Sequence, residues 1–236
     1  EAVCLAVVIA TFFVIGFTKY NPRTVAEKYF SAYVSKDWSA MYDLLEFPEG
    51  NIMQEEQFAD VMERTRTSDI TSYTVKETDG ERSDISRNFE AEYSVPGQGS
   101  FKLRFTAVRQ SSKALFLFDV WKISAAGMIT DDYPVVVPAG AKAAVDGVEL
   151  TEKYKAEDQE EGTDTYRISV FNGVHSIEAA VPWCEVYEGE FDTSLDSSAA
   201  VTELTLSEHG EKALQAKMEE ALEKFYTSAV SGEDYS

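Results

Sequence analysis

Cysteine is scarce in this 236-residue chain: there are two, Cys4 inside an apolar start and Cys184 far downstream. The region after that start therefore has no pair with which to close an internal disulfide. Histidine is as rare, with His175 and His209 alone. Together with one Cys they do not form the spacing of a metal-ligand set, so no metal site and no cofactor is expected. Positive charge is also short, at 21 Lys and Arg against 42 Asp and Glu, a net charge of −21. Without a basic stripe to release counterions from phosphates, nucleic acid is excluded as a partner.

The chain does not lack the means to fold, for 44% of its residues are hydrophobic and 12% aromatic, well outside the composition of disordered chains. Its length fits two modest domains. The acidity is lopsided. Up to Met128 there are 14 basic and 18 acidic residues; from Ile129 onward there are 7 and 24. Such a surface favours solubility beside other anionic surfaces.

Residues 2–18, AVCLAVVIATFFVIGFT, carry no charge and read as a short transmembrane helix, with Lys19 and Tyr20 at the interface. A cleaved signal peptide is the competing reading, opposed by the lack of a small-x-small site after the run. The lipid bilayer is the expected partner of this segment. Because the chain opens on Glu1 rather than Met, further residues are expected upstream.

A first domain is expected over residues 21–128. Asn21-Pro22 is a helix start, with Asn as cap and Pro at the first helical position. Val25, Tyr29, Phe30, Tyr33 and Val34 recur at helical spacing, Trp38, Met41, Leu44 and Leu45 form a second short helix, and Phe58, Val61 and Met62 a third. From Thr71 the period becomes two. Phe89, Ala91, Tyr93 and Val95 alternate with polar residues, and so do Phe101, Leu103 and Phe105, joined by a turn at Pro96-Gly97-Gln98-Gly99. ALFLFDVWKI, residues 114–123, reads as one strand covered on both faces. The class is α+β.

This order of elements, opened by NPRTVAEKYFSAYVSKDWSAMYDLL, resembles the nuclear-transport-factor-like cone fold, and more narrowly the extracytoplasmic versions in Firmicutes such as the N-terminal domain of MecA-type transpeptidases. The resemblance implies a cone-shaped layer of helices on a curved antiparallel sheet, a fold that hosts enzymes and plain binding domains alike. Asp119 with Tyr73 or Tyr93 is the candidate carboxylate and phenolic donor for acid/base chemistry, against an ion pair between Asp119 and Arg104. Tyr29, Tyr33 and Trp38, with Tyr93 and Asp119, are the candidate lining of a ligand pocket. No catalytic residue is assigned.

A small all-β module is expected over residues 132–205. Asp146-Gly147 and Asn172-Gly173 are each read as hairpin turns between alternating runs. The patterns VVVPAGAKAAVDGVEL and YRISVFNGVHSIEAAVP resemble modules of the PEGA type and the second domain of TcaA-like envelope proteins, with Pro138-Ala139-Gly140-Ala141 where the signature carries an acid after its proline. Residues 152–161, EKYKAEDQEE, lack the spacing and central Gly of a calcium loop and read as a solvated loop. His175 reads as a strand-surface residue and Cys184 as half-buried.

Helical period returns over residues 207–236, with Ser207 as cap and Leu214, Met218, Leu222 and Phe225 in a stripe. Its end, Glu223-Lys224-Phe225-Tyr226-Thr227-Ser228-Ala229-Val230-Ser231 and on through Ser236, echoes the stretch Glu27-Lys28-Tyr29-Phe30-Ser31-Ala32-Tyr33-Val34-Ser35 and on through Ser39. The echo predicts the start of a second cone domain, continuing beyond Ser236.

The reading that these features favour is a membrane-anchored, single-pass, extracytoplasmic binding, sensing or spacer protein of the cell envelope without catalytic activity. The TcaA-like resemblance implies cell-wall polymer, a wall-active antibiotic or another envelope protein as partner. The alternatives are an acid/base enzyme in the cone, or the stalk of a larger transpeptidase.

Overall fold

The computed structural model describes residues 2–47, 52–78 and 83–231. The chain divides into two compact units, residues 1–131 with Ser169–Gly173, and residues 132–168 with 174–236.

In the first unit, α1 (Ala2–Lys19) precedes α2 (Pro22–Ser35), α3 (Trp38–Asp43) and α4 (Glu55–Thr65). Asn21 caps α2 through its side chain, which accepts from the Arg23 N–H at 2.8 Å, with Pro22 at the first helical position. Lys36, at φ +57°, ends the helix in the left-handed region, and Asp37 caps α3 by accepting from the Ala40 N–H at 3.1 Å.

The sheet of this unit has the order β1-β5-β4-β3-β2, built from β1 (Leu45–Glu46), β2 (Ser72–Glu77), β3 (Ser86–Val95), β4 (Gly99–Ala114) and β5 (Phe118–Ser124). Neighbours run antiparallel except β1, which pairs parallel to β5. α2 lays Tyr29 and Phe30 on this sheet. Phe30 is fully buried, with its ring centroid 5.2 Å from Tyr73, 5.6 Å from Tyr93 and 6.5 Å from Phe105. A second cluster joins Phe58 to Tyr42, Phe47 and Phe171 at 5.1–6.2 Å. Helices followed by a largely antiparallel sheet are the α+β arrangement expected from the switch of period.

Two expectations for this unit are corrected. Among the described residues, no helix is long and apolar enough to cross a membrane, so the transmembrane helix expected over 2–18 is not upheld. Its 17 uncharged residues rise only about 26 Å, short of a hydrocarbon core about 30 Å thick. The later turns of α1 carry a ring cluster instead: Phe12, Phe13, Phe17 and Tyr20 surround Phe118 at 5.4–6.2 Å, with Phe12, Phe13 and Phe17 still 39–67% exposed. Gly16 makes this possible, since a Cβ there would stand 2.0 Å from the Phe118 ring. The single strand expected over 114–123 is broken as well. Leu115 and Phe116 turn the chain at φ +49° and +64°, with Phe116 almost fully exposed, and β5 begins only at Phe118.

The second unit stacks short strands: β6 (Ile129–Pro138), β7 (Lys142–Val145), β8 (Val148–Glu149), β9 (Thr163–Phe171), β10 (Val174–Ala180), β11 (Tyr187–Asp192) and β12 (Ala199–Ala200), then α5 (Glu208–Ser231). They form two sheets, β11-β10-β7-β8 and β12-β6-β9. Asp146-Gly147 turns the β7–β8 hairpin with both residues at positive φ, +48° and +74°, as the mirror-image two-residue turn demands.

Asn172-Gly173 does not make a hairpin. The strands on either side, β9 and β10, belong to different sheets, and only Gly173 takes positive φ, +142°. Asn172 spends its groups elsewhere: its backbone N–H on the Met128 carbonyl at 2.7 Å and its side chain on Thr130 at 2.6 Å and the Gly127 carbonyl at 3.2 Å. Ser207 caps α5 as expected, its Oγ accepting from the Gly210 N–H at 3.0 Å. Residues 232–236 of the echoed stretch lie outside the described residues.

Asp164 ties the turn after β6 to the loop before β9. It accepts from the Gly140 N–H at 2.8 Å and pairs with Lys155 at 3.0 Å, and these two contacts, the backbone bond first, hold its carboxyl below the ordinary range. A carboxylate lowered by folding contributes stability above its unfolded pKa of about 3.9, and loses it as pH falls through the folded value. Asp164→Asn is therefore expected to lower the thermal midpoint of the second unit at pH 7. The gap to the parent should close below about pH 4, as read from melting curves across pH.

Candidate functional site

Three of the five residues picked from the sequence gather around the C-terminal end of α2, and two go elsewhere. Tyr33 leaves the helix one turn after Phe30 and meets Tyr93 of β3 edge to face at 6.4 Å. Trp38 stands 6.3 Å from Tyr33, but its indole N–H donates to Glu63 at 2.8 Å and its ring is buried, so it backs the site from behind.

Tyr29 is core. Its ring packs 5.1 Å from Phe105 and its hydroxyl donates to the Met128 sulfur at 3.4 Å; burial, then the neighbouring Tyr33, drives its pKa far above the ordinary range. Asp119 is the second residue of β5, where it pairs with Lys113 and, at 3.9 Å, with Arg109. The partner is thus not Arg104, which bonds Glu90 at 3.0 Å.

Tyr33 and Tyr93 open onto a hollow of about 340 Å³ lined also by Arg66, Ser68, Gln98 and Phe101, with Met62, Thr65, Thr67, Ile70 and Val95 completing the wall. Tyr93 and Phe101 lie as a stacked pair at 5.7 Å and 26°, and the Gln98 amide donates to Ser68 at 3.2 Å. The Tyr33 phenol is raised, first by burial and then by the Tyr93 phenol, with Arg66 acting in the opposite sense.

Arg66 carries the electrostatics of this hollow. It is 7% exposed, and its guanidinium donates to the carbonyls of Tyr33 and Val34 in the last turn of α2. The guanidinium carbon stands 4.5 Å over the Tyr33 ring and 5.8 Å from that of Trp38. A cation at the negative end of a helix, over aromatic faces, is favourably placed.

Sequence reasoning missed Arg66, Gln98 and Phe101. Arg66 follows α4 in the polar run Arg64-Thr65-Arg66-Thr67-Ser68, where no period singles it out. Phe101 was read only as a strand residue, although its register opposite Tyr93 follows from the turn at 96–98.

The second unit holds a separate buried pair. His175 Nδ1 lies 2.6 Å from Asp146 Oδ2, both side chains being 1% exposed, and the imidazole stacks on Phe191 at 5.1 Å. The other Asp146 oxygen accepts from the Ser176 N–H at 2.9 Å. The expectation of a surface His175 is thus corrected. It shares the parity of Ile177 and Ala179, both buried on β10, and the tight turn at Asp146 brings its hydrogen-bond partner inward. Cys184 is half-buried, and among the described residues no group of three or more His, Cys, Asp or Glu is placed to hold a metal ion.

Comparison with protein-family models gives no match, and neither does comparison with curated proteins.

The Trp38–Glu63 bond is a direct measure of how firmly the helices behind the hollow are held. Trp38→Phe, which removes the N–H and keeps an aromatic ring, is expected to cost about 1 kcal/mol in denaturant unfolding. Glu63→Gln, which keeps an acceptor, should cost less.

Proposed function

We propose that this chain is a non-catalytic binding protein of the cell envelope and that the hollow bounded by Tyr33, Tyr93, Phe101, Gln98 and Arg66 is where its first unit takes a ligand. The observation that carries this is the lining. Aromatic faces, hydroxyls, an amide and a guanidinium converge on one hollow, the mixture of apolar walls and a few orienting polar groups that ligand sites share. Aromatic faces beside hydroxyl and amide groups suit a saccharide, which presents C–H faces and hydroxyls together. Cell-wall polymer is accordingly the partner class put forward. The resemblance of both sequence segments to envelope modules supports an extracytoplasmic place for it, and the reading needs no membrane span.

The enzyme reading required Asp119 beside a phenol inside the cone. Its carboxylate is engaged with Lys113 and Arg109 of β4, apart from Tyr93. The experiment is co-sedimentation with purified insoluble cell-wall polysaccharide. Tyr93→Ala and Phe101→Ala are expected to lower the affinity about tenfold, taking the loss of a stacking ring as on the order of 1–3 kcal/mol by analogy with base stacking. Asp119→Asn should leave it unchanged. Absence of binding by the unaltered chain, or equal binding by the ring variants, rejects the proposal.

The end of α5 supports a second cone domain in the same protein. Leu222, Phe225 and Tyr226 occupy the echo positions of Ala26, Tyr29 and Phe30, yet they are 53%, 54% and 65% exposed where their counterparts are at most 2%. A sheet like that of β2–β5 is what the echoed helix has in the first unit. Ending the chain after Ala221 removes Leu222, Phe225 and Tyr226, all of them exposed, and none of the buried core residues. Both units are expected to keep their melting temperatures within about 2 °C.

A further inference from the structure

We infer that the hollow at the end of α2 selects a sugar ring that bears an oxyanion, a carboxylate or a phosphate, and that Arg66 is the group that reads the charge. This rests on the saccharide-binding reading above and narrows it.

Arg66 is 93% removed from solvent, counting from its 7% exposure, and lines the hollow directly. Among the described residues it has no carboxylate partner. Its recorded contacts are two backbone carbonyls and two aromatic rings. A guanidinium has five N–H donors in a planar fork. Three contacts to carbonyls leave donors unused, and a buried cation without a counterion favours any anion that reaches it. The fork matches the two oxygens of a carboxylate or phosphate.

The rest of the wall fixes the remainder of the ligand. Tyr93 and Phe101, stacked on one another, give a flat apolar edge for the C–H face of a ring, while Ser68 and Gln98 stand where hydroxyls would be met. Long-range attraction does not supply this preference, since the chain carries −21 and repels anions at a distance. The recognition is local, and a desolvated contact of this kind is weakly screened by salt.

The test is titration calorimetry of the full chain with glucuronate, glucose 1-phosphate and glucose at matched ionic strength. Glucuronate or glucose 1-phosphate is expected to bind about tenfold more tightly than glucose or better, and the stronger of the two anions identifies the oxyanion. Arg66→Gln keeps donors for the α2 carbonyls but no charge; it should bring the ratio to about one while glucose binding persists. Should that variant fail to fold, Arg66→Lys, which keeps the charge but not the planar fork, serves in its place and should lower the anion-to-glucose ratio several-fold. Equal affinity of the unaltered chain for glucose and both anions overturns the charge selection and leaves the saccharide reading standing. Binding of none of the three overturns both.

Discussion

The burial of one helix face on one five-stranded sheet governs the first unit. Phe30 has no solvent exposure and is ringed by Tyr33, Tyr73, Tyr93 and Phe105. Burying an aromatic side chain of this kind stabilises by roughly 1.5–3 kcal/mol, and Tyr29 adds a second just beside it. Once that face is fixed, the helix cannot rotate or slide. Tyr33, one turn further on, must then emerge at the rim beside Tyr93, and the last carbonyls of α2 must point at whatever follows α4. The site is in this sense a by-product of the core: a core-packed helix ends where the sheet opens.

The second unit obeys a different constraint. Its strands are short, and their inner faces meet between two sheets, so parity decides burial. Val135 and Val137 on β6, Val145 on β7, Ile168 on β9, and Ile177 and Ala179 on β10 are all buried. His175 falls on the same parity and is carried inside with them. A buried imidazole is tolerable only with its polar atoms engaged, and Asp146 provides this from a turn whose left-handed backbone is common for Asp and Asn. The Asp-Gly step therefore does two things, turning a hairpin and delivering a carboxylate to the interior.

Much of the fold was legible because it is written in local rules. The Asn21-Pro22 start, the Ser207 cap and the Asp146-Gly147 hairpin each depend on a few adjacent residues, and each forms as expected. Failures came where long-range contacts outvoted local pattern. Asn172-Gly173 looks like a hairpin turn, but the groups of Asn172 are taken by Gly127, Met128 and Thr130. The apolar run 114–123 looks like one strand, but the ladder with β4 needs a turn, and Leu115 and Phe116 take it despite their bulk. For the apolar start, composition speaks for a membrane, whereas its length falls short of a span and four of its rings gather on Phe118. Of the site, the aromatic half was visible as helix and strand periodicity. The cation was not, because a single Arg in a polar connection has no period to betray it.

Arg66 is also the residue whose energetics most constrain any account of the hollow. Removing a cation from water costs several kcal/mol even after relaxation. Against this, a helix C-terminus contributes about 0.3–1 kcal/mol, up to about 2 when partly buried, and a cation over an aromatic face about 0.5–2. Bonds between a charged donor and neutral carbonyls add about 1.5–3 kcal/mol each, and two carbonyls are engaged. These terms bring the balance near zero without neutralising the charge. A formal anion is the one partner that does so, and a guanidinium with donors to spare at the wall of the hollow is the group that receives it. A neutral side chain of the same length would cap α2 at lower cost, so what Arg66 adds over such a residue is charge, and the place where that charge acts is the hollow.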